Sequence, residues 1–157
     1  MTVECKKKWD ELRPVYTELS ALLSSLCDLE DSLSISASNN AKDKIDALVT
    51  EAQPTLLRFK GLEKKREKLQ KELGLVPASL PSILEKAPDE EKEEWAESIE
   101  NLEKNLHRFI QSKETADRIM QVRLIDFSQK LEGKIEAKKF RDRRVYTAGY
   151  ENIVHQL

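Results

Sequence analysis

The sequence predicts an all-α protein: an elongated antiparallel helical bundle or hairpin of three long helices plus one short helix, with a protruding C-terminal arm. Leu12, Val15, Leu19, Leu22, Leu26, Leu29 and Leu33 follow one another at unbroken steps of three and four. That is the seam of a helix packed lengthwise against others at a shallow angle. Four glycines in 157 residues are too few for the turns of a sheet-rich domain of this length. The 36% charged, 39% hydrophobic and 6% aromatic composition fits one helical domain, and barrels, Rossmann folds and sandwiches are set aside.

The first helix, about 25 residues long, ends in the polar run SISASNN. Ser38, Asn39 and Asn40 are each candidates to cap the second helix by accepting from its free N–H groups. That helix is expected from about Asn40 to Leu73, with Ile45, Leu48, Ala52, Phe59, Leu62, Leu69 and Leu73 on one face. Thr55 and Arg66 are polar seam positions. Pro54 lacks a backbone donor and crowds the preceding turn, so a kink or a break is expected there. Gly74 suits a left-handed C-cap, and Pro77 blocks resumption. Within LVPASLPSILEKAP, Ser79 can cap one or two turns carrying Leu80, Ile83 and Leu84.

The last helix opens at Pro88 or Asp89, where the run DEEKEE suits the positive end of a helix dipole. From Trp95 its apolar positions pass through Ile99, Leu102, Leu106, Phe109, Ile110, Ala116, Ile119, Met120, Leu124, Phe127, Leu131 and Ile135. Some 45 residues give roughly 65–70 Å against roughly 38 Å for the first helix, so one end must overhang. Charge is polarised along the chain. Residues 85–103 hold nine acids and two bases, whereas 134–144 hold six bases and two acids. Beyond them, Tyr150, Ile153, Val154 and Leu157 stand at i, i+3, i+4 and i+7, an amphipathic pattern with nothing of its own to pack on. The organisation is therefore a helical bundle domain over 1–139 and a flexible or partly helical interaction tail over 140–157.

A net charge of −2 gives no bulk field to hold a nucleic-acid backbone. No window is long and apolar enough for membrane insertion, and the opening MTVECKKKWDEL lacks a signal-peptide core. A soluble, cytoplasmic protein is the expectation. Cys5 and Cys27 read as reduced thiols, with Cys27 a small hydrophobe at the seam edge. The two histidines, His107 and His155, have no HxxxH or HxxE partner, and their expected roles are structural or solvent-facing. No glycine-rich phosphate loop, GxSxG, CxxC or EF-hand spacing occurs. The expectation is no enzyme, no cofactor and no metal. An all-helical enzyme of the chorismate mutase type, holding a dianion with Arg and Lys, would use Arg66. An arginine at a seam position more often lays its stem along the seam or pairs with a neighbouring acid.

The run Leu62, Arg66, Leu69, Leu73, Gly74, followed by the proline-broken link, the short helix and the Trp95 helix, resembles the FlgN family of flagellar export chaperones. The resemblance covers about residues 10–150. Glu114 and Asp117 stand where members often carry an N-x-x-N pair. It implies a cytosolic, non-enzymatic chaperone that binds hook-associated proteins at the hook–filament junction and delivers them to the flagellar type III export gate. Carried onto this chain, the interaction region is Phe127 through Leu157. Leu131, Ile135, Phe140, Tyr146, Tyr150, Ile153 and Leu157 become apolar contacts, Arg141, Arg143 and Arg144 a charged rim, and Tyr146 or Tyr150 the export-gate contact. The competing reading is a structural coiled-coil adaptor whose heptads self-associate, which predicts a homodimer dependent on Leu12 to Leu33.

Overall fold

A computed structural model describes residues 1–75 and 79–129, with the helical path alone described over 123–129. The described residues form helices and no strand. The long helices are α1 (Val3–Ser38), α2 (Lys42–Glu72) and α4 (Lys92–Gln129), with a short α3 (Leu80–Lys86) and a 3₁₀ turn over Asp89–Glu91 before α4. This is the expected all-α bundle of three long helices and one short one.

Helix α1 is longer than its leucine seam. Thr2 caps it, its hydroxyl accepting from the Cys5 N–H at 3.1 Å. The 36 residues of α1 span about 54 Å and the 38 of α4 about 57 Å. The large mismatch in length expected from the sequence is therefore absent among the described residues. The N-terminal turns of α1 belong to the core because Trp9 is buried there.

Long-range pairs fix the directions. Trp9 meets Trp95, Ser20 meets Asn105, and Leu33 and Ala37 cluster with Ala116 and Met120, so α1 and α4 run parallel. Lys8 meets Glu72 and Tyr16 meets Gln70, while Leu33 and Ala37 cluster with Ile45, so α2 runs antiparallel to both. Helix α1 lies against α2 and α4 alike. Two flanking partners require a wider buried face than one seam. Tyr16, Leu23 and Cys27 are accordingly buried beside Leu12, Val15, Leu19, Leu26 and Leu33, while Leu22 and Leu29 are only partly buried.

Both long turns close by the same device. Ala41 N–H donates to Ser36 C=O at 2.8 Å and Asn40 N–H to Ala37 C=O at 3.2 Å, with Asn40 at φ 54°. Leu75 N–H donates to Gln70 C=O at 2.7 Å and Gly74 N–H to Lys71 C=O at 3.1 Å, with Gly74 at φ 71°. These are Schellman motifs, and buried Leu75 adds the accompanying apolar contact. Asn40 thus terminates α1; the residue before α2 is Ala41, whose side chain makes no capping bond, contrary to the Ser/Asn cap expected from sequence. The Ser79 cap does form, accepting from Ser82 N–H at 3.4 Å. Pro54 sits inside an unbroken α2, so the helix is one element.

Candidate functional site

Of the residues expected to bind a partner, Phe127 lies on the described path of α4. Its side chain, and Leu131, Ile135, Phe140, Arg141, Arg143, Arg144, Tyr146, Tyr150, Ile153 and Leu157, lie outside the described residues, as does the 139/140 boundary. The structure does define the platform from which that region departs. Leu33, Ala37, Ile45, Ala116 and Met120 close the core at this end. The α4 backbone continues nine residues beyond Met120, or about 13 Å.

At the opposite end stands the buried polar cluster that contains Arg66. Beyond Phe59 the expected seam of α2 keeps Leu69 in the core but gains buried polar residues beside it. Glu63, Arg66 and Gln70 are buried, Leu62 and Leu73 are partly buried, and Leu56 joins Ala52 and Phe59 in the core. Arg66 binds Glu63 with both arms of its guanidinium, Nε to Oε2 at 3.0 Å and Nη2 to Oε1, and donates Nη1 to Gln70 Oε1 at 2.9 Å. Gln70 Oε1 also accepts from the Tyr16 hydroxyl at 2.7 Å. Burial works against the Arg66 charge, but the Glu63 carboxylate outweighs it and holds the guanidinium above its ordinary pKa. Burial raises the Tyr16 pKa, so its hydroxyl stays a donor. An arginine only 4% exposed, with its donors facing Glu63 and Gln70, is occupied by the fold, and pairing with a neighbouring acid is the reading that holds.

Trp95 lies over this cluster at 0% exposure. Its ring stands edge-on to Trp9 and to Tyr16, each with centroids 5.2 Å apart, a favoured geometry for aromatic pairs. The sequence signalled Trp95 through its place in the α4 pattern. Glu63 and Gln70 were signalled only by their i−3 and i+4 spacing from Arg66, and Trp9 lies upstream of the leucine seam.

Burial pushes the Cys27 thiol up to about 11, with nearby Arg108 opposing it, and its Sγ lies 3.8 Å from Asn105 C=O. It is buried, as expected of a small hydrophobe, and both cysteines are free. His107 is exposed. No group of three or more His, Cys, Asp or Glu placed to hold a metal occurs among the described residues. None of the described helices is long and apolar enough to cross a membrane.

Among the described residues an open groove of about 370 Å³ runs between α1 and α2, lined by Ser32, Ile35, Ser36, Lys44, Ala47 and Leu48. No protein-family model, curated protein or solved structure matches this chain.

Proposed function

We propose that this chain is an export chaperone of the FlgN type, acting in the cytoplasm. It holds hook-associated proteins by their C-terminal helices, prevents their premature association, and delivers them to the flagellar type III export gate. The observation that carries this reading is the course of α4. It runs parallel to α1 beyond the last core cluster and leads into a sequence both basic and amphipathic. A helical platform feeding such a segment suits helix-on-helix recognition, which needs apolar area and complementary charge. The coiled-coil adaptor reading loses support because Leu12, Leu19, Leu26 and Leu33 are each 0–1% exposed, already covered within the chain.

The test mixes the purified full chain with purified hook-associated proteins and reads complex mass by light scattering after size exclusion. A heteromeric complex is expected. It should be lost in the double variant Ile153→Asp, Leu157→Asp with helicity by circular dichroism unchanged. No complex with any hook-associated protein would remove the chaperone reading, and a homodimer in its place would favour the adaptor.

A further inference from the structure

We propose that copies of this chain associate side by side, the lysine stripe of α2 on one copy lying along the glutamate stripe of α4 on the next. Lys60, Lys64, Lys68 and Lys71 follow one another on α2 at steps of four, four and three, and all four are exposed. Glu93, Glu97 and Glu100 follow at steps of four and three on α4 and are exposed as well. Such steps place each set on one face of its helix. None of the seven makes an ion pair among the described residues. Over Lys60–Lys71, five lysines are exposed once Lys65 is counted, against one exposed acid, Glu67. From Glu93 to Glu103, α4 carries five acids and no base.

The fold sets the two stripes at one height. Glu72 meets Lys8 where Trp95 meets Trp9, and Arg58 meets Glu18 where Asn105 meets Ser20. Arg58–Glu72 and Trp95–Asn105 therefore flank the same stretch of α1, and the stripes are level to within about one helical turn. Two copies side by side in the same orientation keep that level. Because α2 runs antiparallel to α4, the rows then meet antiparallel, about 16 Å of lysines along about 10 Å of glutamates. Both rows repeat every 4.5–6 Å or so, about the rise of three or four helical residues, so three carboxylates alternate with four ammonium groups.

Charge points to a second copy because the chain itself carries the complement at the matching height and spacing. Two different faces meet, so the contact is head-to-tail rather than self-paired. Each exposed pair contributes little alone. The association therefore rests on the whole row and weakens as salt screens it. It needs no client and stands whether or not the chaperone reading does.

The experiment follows the weight-average mass of the full chain by sedimentation against protein concentration, at low and at high ionic strength. Mass should rise with concentration at low salt and return to that of one chain at high salt. Lys64→Glu, Lys68→Glu in one variant and Glu97→Lys, Glu100→Lys in another should each weaken association by roughly tenfold or more, since like charges now face each other. Mixing the two variants restores opposite charges at both contacts and should restore association. Lys7→Glu, Lys44→Glu, also at exposed positions, carries the net charge of the first variant and should associate as the unaltered chain does. Circular dichroism checks that every variant keeps its helicity. A chain that stays single at low salt would overturn the proposal. So would stripe variants that associate undiminished, as a dimer built on the Leu12 to Leu33 heptads would, or a Lys7/Lys44 control weakened as much as they are.

Discussion

The Tyr16 hydroxyl on α1 donates to Gln70 Oε1 on α2 at 2.7 Å, and the same oxygen accepts from Arg66 Nη1 at 2.9 Å. This shared acceptor ties a buried ion pair on one helix to a tyrosine on the next, and it lies where α2 carries three polar residues on its buried face. Removing one member of such a network costs more than replacing the set, because a remaining buried charge has no water to return to. Arg66→Ala should therefore lower stability by about 3–5 kcal/mol. The paired change Glu63→Leu, Arg66→Met should cost far less or nothing. Tyr16→Phe removes one bond from an acceptor that keeps another, for about 1 kcal/mol. Urea unfolding of the four proteins reads all three differences, and a double variant as unstable as Arg66→Ala would show that the network does more than neutralise Glu63.

Trp95 is fully buried and stands edge-on to both Trp9 and Tyr16. Trp95→Ala should cost about 3–5 kcal/mol through the cavity it leaves. Its Nε1 is buried with no hydrogen-bond acceptor in the structure. Trp95→Phe removes that unmet donor along with the larger ring and should be the milder change. Thermal unfolding followed by Trp9 fluorescence ranks the variants, and equal losses would make the indole N–H a contributor to stability.

Glu91 sits at the entry to α4 with Arg13 Nη1 3.8 Å from its Oε1. Burial raises its pKa, and the charge of Asp10 and a bond to it add to the rise, against Arg13. An acid whose folded pKa lies above its unfolded one binds more protons when folded. Its ionisation therefore costs stability, progressively as pH rises from the ordinary carboxylate range through the raised value. Glu91→Gln should accordingly raise the urea midpoint at neutral pH, and the gain should close as pH falls into that ordinary range. A gain that grows on acidification would reverse the assignment.

Two exposed glycines should respond oppositely to alanine. Gly61 lies inside α2, and a Cβ there meets nothing within 4 Å, so Gly61→Ala should stabilise by about 0.5–1 kcal/mol. Gly74 also has open space, but its φ is +71°, so Gly74→Ala should destabilise by about 1 kcal/mol. Melting temperatures decide it, and a neutral Gly74→Ala would mean that the turn after α2 relaxes at no cost.

The helical class and the order of elements follow from local pattern. Apolar spacing of three and four declares a helix wherever one stripe is covered, and Ser79 and Gly74 act through neighbours in the chain. Tertiary structure decided which flank of each stripe is buried. Helix α1 lies between two partners, so Tyr16, Leu23 and Cys27 enter the core while Leu22 and Leu29 move to its margin. It also decided that Arg66 is held by Glu63 and Gln70, since only the approach of α1 with Tyr16 makes that face of α2 an interior. Asn40 ends α1 because a left-handed residue there allows the Ser36 and Ala37 carbonyls to be met, a backbone geometry that residue type permits but does not declare. Pattern is local and can be read along the chain, whereas burial is set by what arrives from elsewhere in it.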